Sequence, residues 1–242
     1  MKLCLISNST NAGEAYLGWP QEYIKEFLNK NAVKKVLFVP FAGVGLSADG
    51  LQASYDAYAE RVAGVFNKLG FELESIHKAE DPKKAVAEAE CVVVGGGNTF
   101  HLYYEMHRQE LMSLVRERAL NGLPYMGWSA GSNLACPTLK TTNDMPIIEP
   151  ASFDGLNLVP FQINPHYLDA NPEGHGGETR EQRIEEFLMV NREMTVVGLR
   201  EACLLEVDGD DLQLKGNRDM RIFQFGKDFY EVSCGSDLNF LK

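Results

Sequence analysis

Short unbroken apolar runs alternate with longer stretches of helical spacing along the first half of the chain. Runs at 2–6 and 36–41 read as strands, and the mixed polar and apolar segment at 16–28 between them reads as a helix. The alternation continues with a helix over 55–69, a strand over 71–76, a short helix over 82–89 and the strand-like run that opens CVVVGGG and ends at Gly95. A single helix is expected over 98–120, then a compact strand over 124–128 that stops at Ser129. Because these strands are continuously apolar rather than alternating, they predict a parallel sheet covered by helices on both faces.

The second half is less regular. Prolines and glycines punctuate 137–165, a glycine-rich loop follows, and 178–190 reads as a helix. The run at 195–199 is expected to return to the main sheet, and CLLEVDGDDLQLKG predicts a hairpin turning at its acidic, Gly-containing centre. RIFQF and FYEVS add strand content. The expected fold is α/β, a mostly parallel central sheet with flanking helices and additional C-terminal strands. With no repeat or flexible linker, 1–242 reads as a single domain.

Composition narrows the partners. Against 34 acidic residues stand 23 Lys and Arg, a formal charge of −11. That balance repels nucleic-acid backbones and anionic membranes, so neither is expected as a partner. The opening MKLCLISNST turns polar too early for a signal sequence or membrane helix. Five cysteines without a close CxxC pair read as reduced thiols, which fits the cytoplasm. Oligomeric state is left open.

GWSAG at 127–131 lies where a strand meets a small-residue segment able to start a helix. This is the context of a nucleophile elbow: the Ser129 hydroxyl projects outward and the Ala130 N–H faces a developing oxyanion. GGGNTF at 95–100 also follows a strand, so Gly97 can supply a second N–H at the same sheet edge. A serine needs a base. His166, in QINPHY, ranks first and His175 second, while His77, His101 and His107 suit structural positions. For the carboxylate behind the base, Glu201 competes with Asp144 and Asp169. Arg180 suits a substrate carboxylate, or else a surface pair with Glu178, Glu181 or Glu185. A different reading gives His166, Asp169, Glu173 and His175 to a metal, and a non-catalytic ligand-binding domain is a further alternative.

The ordered motifs SNST, PFAGV, VGGGNTF, GWSAG, ACPT, TTNDMPI, QINPH and EGHGGETREQRI span most of the chain and resemble the aspartyl dipeptidases of the S51 serine-peptidase family. The resemblance implies a fold related to class I glutamine amidotransferases and hydrolysis of small acidic dipeptides with N-terminal aspartate, without a cofactor or metal. It assigns Ser129, His166 and Glu201 as the triad and Gly97 and Ala130 as the oxyanion donors. It gives Arg180 to the aspartyl side chain, Asp144 to the substrate ammonium, and Asn98 an assisting role. The chain departs from the family at Arg200, just before Glu201, where the family pattern has proline.

Overall fold

The computed structural model describes every residue except 172 and 175. Five parallel strands form most of a seven-stranded sheet: β1 (Lys2–Ile6), β2 (Lys35–Val39), β3 (Glu72–Ser75), β4 (Val92–Val94) and β5 (Tyr125–Trp128). An antiparallel hairpin, β8 (Cys203–Asp208) and β9 (Asp211–Gly216), extends its edge, giving the order β3-β2-β4-β5-β1-β8-β9. Helices α1 (Gln21–Lys30), α2 (Leu51–Leu69), α3 (Pro82–Glu88), α4 (Thr99–Arg108), α5 (Met112–Leu120) and α6 (Ala130–Leu134) connect the parallel strands or follow them. Fully buried Leu3, Leu5, Val92 and Val94 face one core, while Cys4, Ile6, Val93 and Met126 face another. Burial on both faces is why these strands carry unbroken apolar runs.

Four strands form a second sheet in the order β11-β10-β7-β6: β6 (Gln162–Tyr167), β7 (Thr195–Arg200), β10 (Met220–Gln224) and β11 (Tyr230–Val232). The helix α7 (Arg180–Val190) lies between β6 and β7 in the chain, and its Ile184 and Leu188 pack with Tyr167, Val196 and Phe223 of this sheet. The run at 195–199 therefore does not rejoin the main sheet, as its apolar pattern had suggested. Parallel pairing with β6 and antiparallel pairing with β10 satisfy its backbone instead. Nothing in a short apolar run identifies its neighbours.

Two helix boundaries also differ from expectation. The stretch at 98–120 is broken into α4 and α5, with Glu110 between them at φ 54°, outside the helical region. The first helix begins at Gln21 rather than near Tyr16, because residues 12–20 form turns. No helix among the described residues is long and apolar enough to cross a membrane. The five cysteines are all free, four of them buried.

The carboxyl ends of β1, β2, β4 and β5 open together on one edge of the main sheet, as is usual for ligand sites in parallel α/β folds. The second sheet is joined to that edge by side chains. Asn133 of α6 donates through Nδ2 to Ile163 O of β6 at 2.7 Å, and Thr141 donates to the same carbonyl at 2.9 Å.

Candidate active site

Ser129 adopts φ 52° and ψ −112°, a backbone region that a residue with a Cβ occupies only under constraint. The constraint comes from the neighbouring glycines. A Cβ on Gly127 would overlap the Gly131 backbone, and one on Gly131 would overlap the Val94 carbonyl, so the turn closes only without side chains there. The Ser129 N–H donates to Ile6 O at 3.0 Å, and its carbonyl accepts from the N–H groups of Ser132 and Asn133. Its hydroxyl makes no capping bond to α6 and remains turned toward the open edge. Ser132 is fully buried, and its hydroxyl lies 2.7 Å from Ile6 O and 2.9 Å from Gly127 O, an internal role.

His166 also has positive φ, 52°, at a bulge between Pro165 and Tyr167 in β6. The Ser7 hydroxyl, at the end of β1, accepts from the His166 N–H at 2.9 Å and donates to Leu199 O at 2.7 Å. One buried hydroxyl thus ties the bulge to the neighbouring strand. The imidazole Nε2 lies 3.2 Å from Ser129 Oγ, and Nδ1 lies 2.8 Å from Glu201 Oε1. Parallel pairing of β6 with β7 brings His166 and Glu201 out at the same end of adjacent strands. Asn8 supports the turn after Glu201 by accepting from the Ala202 N–H at 2.9 Å. Ser129, His166 and Glu201 therefore form one continuous hydrogen-bonded line.

The other carboxylates considered for that line are engaged elsewhere. Asp144 Oδ2 accepts from the Thr99 N–H at 2.8 Å, the Thr99 hydroxyl at 2.5 Å and the Thr142 hydroxyl at 3.0 Å. Asp169 pairs with Arg200 and Arg221. Of the remaining histidines, His77 contacts Ser75 and Asp56, and His101 Nδ1 lies 2.8 Å from Phe41 O. His175 lies outside the described residues. Among those described, no cluster of three or more His, Cys, Asp or Glu side chains is spaced to hold a metal ion.

Ser129 and His166 line a cavity of about 710 Å³, together with Gly97, Asn98, Asp144 and Arg180. The Gly97 and Ala130 N–H groups meet no acceptor among the described residues, Ala130 being the first residue of α6. Gly97, at φ 133°, backs against Ala42, where a Cβ would collide with the carbonyl. The Gly96 carbonyl, in the same peptide unit, accepts from Tyr58 Oη at 2.9 Å, and Tyr58 Oη accepts from Trp128 Nε1 at 3.0 Å. Asn98 lines the cavity, but its Oδ1 caps α4 at the His101 N–H and its Nδ2 donates to Met145 O.

Arg180 opens α7 and is half-buried, without an ion-pair partner among the described residues. Its three nearby glutamates do not take it: Glu178 pairs with Arg183, Glu181 pairs with Arg221, and Glu185 is exposed. Burial pushes the guanidinium pKa down, and the negative charge of Asp144 opposes the shift. A partly desolvated, unpaired guanidinium is a receptor for a carboxylate. Arg200, at the departure from the family pattern, is buried and held by Asp169, Glu231 and the Asp219 carbonyl. It anchors the end of β7 without touching Glu201's line to His166.

Sequence reasoning named the three side chains of the hydrogen-bonded line but missed their supports, Ser7, Asn8, Asn133 and Tyr58. For Ser7 and Asn8 a signal existed, since polar SNST directly follows a buried strand at the sheet's carboxyl edge. Tyr58 and Asn133 sit in helical segments and carried none.

Residues 3–215 match the model of peptidase family S51. The chain is 50% identical over 240 residues to Peptidase E of Nostoc sp. (strain PCC 7120), covering 99% of this chain and 96% of that protein. It is 43% identical over 235 residues to Peptidase E of Salmonella typhimurium, covering 97% and 99%. Two solved structures share the fold. A putative Peptidase E protein from Listeria monocytogenes EGD-e has a TM-score of 0.59 at 21% identity, with 89% of this chain and 98% of that one covered. A peptidase from an acI-B1 Actinobacterium has a TM-score of 0.64 at 15% identity, with 97% and 95% covered.

Proposed function

The chain belongs to peptidase family S51, a serine-type peptidase family, and from that premise we propose that it hydrolyses dipeptides with an N-terminal aspartate, using Ser129 as nucleophile. The observation that carries this reading is the line from Ser129 Oγ through His166 to Glu201, with contacts of 3.2 and 2.8 Å, in one cavity with the unpaired Arg180.

Glu201 accepts a hydrogen bond from the His166 Nδ1–H, which fixes the tautomer that leaves Nε2 free to take the Ser129 hydroxyl proton and steadies the imidazolium that forms. As that proton moves to Nε2, Ser129 Oγ bonds to the scissile carbonyl carbon and the carbonyl oxygen becomes an oxyanion. The Gly97 and Ala130 N–H groups donate to it, stabilising charge that exists only in the transition state and intermediate. The intermediate collapses, the C–N bond breaks, and Nε2 gives its proton to the departing amine. Water then loses a proton to Nε2 and attacks the aspartyl ester, and the returning proton restores Ser129.

Selectivity follows from charge. Arg180 receives the β-carboxylate in two-pronged geometry, and Asp144 faces the free α-ammonium from a loop fixed to the start of α4. Asn98 acts through its cap and its bond to Met145 O, shaping the wall beside Gly97. Residues 1–242 act as one peptidase domain, because the proposed groups come from both sheets. The free thiols suit a reducing compartment, and we place the protein in the cytoplasm.

A panel of Asp-Leu, Glu-Leu, Asn-Leu and N-acetyl-Asp-Leu tests the reading by release of the N-terminal residue. Free aspartate is expected from Asp-Leu with wild-type protein, and Ser129→Ala is expected to lower that rate by about 10⁴-fold or more. Equal hydrolysis of all four substrates would defeat the specificity, and an active Ser129→Ala would defeat the nucleophile. Arg180→Ala should lower kcat/KM for Asp-Leu by roughly 100-fold, the scale for losing a buried partner of a charged group.

A further inference from the structure

The cavity beside Ser129 contains a second unpaired cation. Arg61, on α2, lines it with Tyr16 and Tyr58 and has no ion-pair partner among the described residues. Its guanidinium carbon lies 5.7 Å from the Tyr16 ring centroid, a cation–π distance that steadies an otherwise exposed side chain. Exposed Arg183, for comparison, is taken up by Glu178 and Glu186. Arg61 faces the cavity instead.

Its position can be traced through bonded neighbours. Tyr58 lies one helical turn before Arg61 on the same face of α2, and its hydroxyl donates to Gly96 O. Gly96 touches Ser129, for a Cβ at Gly96 would lie 2.9 Å from Ser129 Cβ. Arg180 and Asp144 mark a different end, because they also line an adjoining cavity of about 670 Å³ to which Arg61 does not contribute. Ser129 thus has the Arg180 and Asp144 group on one flank and the Arg61 and Tyr16 group on another.

Apart from His166, the charged side chains lining the Ser129 cavity are these two arginines and Asp144. A dipeptide with N-terminal aspartate carries the complementary set: two carboxylates and one ammonium. Arg180 and Asp144 account for the β-carboxylate and the ammonium, leaving one carboxylate and one cation. We infer that Arg61 receives the α-carboxylate of the residue that leaves, so that it measures the length of the peptide. The inference rests on the aspartyl-dipeptidase reading above. Each added residue would carry the terminal carboxylate about 3.5 Å farther from the scissile bond and out of register with a cation placed for a dipeptide.

The test compares Asp-Leu with Asp-Leu-amide, which lacks only the terminal charge. Wild-type protein is expected to favour the free acid by about two- to fivefold in kcat/KM, the scale of one solvent-accessible charge contact. In Arg61→Gln that ratio should fall to about one, through KM rather than kcat, and Arg61→Lys should restore part of it. An unchanged ratio in Arg61→Gln, or an equal loss on both substrates, overturns the assignment. Calorimetric binding of both peptides to Ser129→Ala, with and without Arg61→Gln, separates the two levels. Asp-Leu binding without discrimination against the amide overturns the role of Arg61 alone. Neither binding nor hydrolysis of any aspartyl dipeptide overturns the specificity from which it is argued.

Discussion

Ser129 and His166 share the same unusual backbone angle, φ 52°, yet opposite means hold them there. At Ser129 the means is steric: Gly127 lets β5 approach the Gly131 backbone of α6, and Gly131 lets α6 approach Val94 of β4, so closely that no side chain fits between. At His166 it is polar: a single buried hydroxyl, Ser7 Oγ, bonds both the bulged N–H and the carbonyl of Leu199 on the next strand. Exclusion of atoms produces a rigid elbow, its glycines spaced four apart in the sequence and closed against each other and against the Val94 carbonyl of the adjacent strand. A hydrogen bond between groups 159 positions apart produces equal order only after both sheets have assembled.

The most damaging way to break the steric side is Gly131→Ala, whose Cβ would meet the Val94 backbone. Overpacking against backbone is expected to cost about 3 kcal/mol, read as a lowered urea midpoint, and the folded fraction should lose activity as the elbow shifts. Retention of both midpoint and kcat would show that the elbow has room to spare.

Ser7→Ala attacks the polar side with a smaller cost. It leaves the His166 N–H and Leu199 carbonyl without their shared partner, a loss of about 1–3 kcal/mol. Because Ser7 touches neither His166's ring nor the cavity's cations, the expected kinetic signature is about a tenfold fall in kcat with KM little changed. A KM effect of the same size would mean that Ser7 shapes the substrate pocket instead.

The smallest effect concerns the ionic cluster behind β7. Asp169 and Glu231 have pKa values pulled below the ordinary carboxylate range, each chiefly by hydrogen bonds from Arg200. Their contribution is fully present above their unfolded pKa values, near 4, and is lost as pH falls through the lower native values. Both carboxylates are well exposed, with side-chain accessibilities of 53% and 39%, so screening limits each to about 1 kcal/mol or less. Thermal midpoints should therefore fall less between pH 5 and pH 3 in Asp169→Asn than in wild type. Equal falls would show that the cluster contributes no pH-dependent stability.

Legibility in the sequence followed the range of the interactions. The strands of the parallel sheet were visible as unbroken apolar runs because burial on both faces imposes that pattern locally. The second sheet was not visible as a separate unit, since β7 has the same apolar character as β1 and only its pairing differs. Likewise the helical spacing at 98–120 continues across Glu110, where the chain nonetheless leaves the helix. Ser129 could be named from five residues. His166 ranked first among the histidines from its place in QINPHY, but Glu201 needed the family's ordered motifs, because neither spacing nor residue type distinguishes it from Asp144 or Asp169.

By itself, then, the sequence determined what can be encoded within a turn or a strand: the buried parallel framework, the glycine-flanked elbow and the chemical types available at its rim. Only the tertiary structure decided which charges are spent on one another. Three glutamates lie within five positions of Arg180, but Arg183 and Arg221 engage two of them and the third is exposed, leaving Arg180 unpaired beside Asp144. Arg61 is left unpaired in the same cavity from a helix more than 100 positions earlier in the chain. Charge pairing depends on distances of a few ångströms between side chains that folding brings together, and a linear pattern of residue types does not specify those distances.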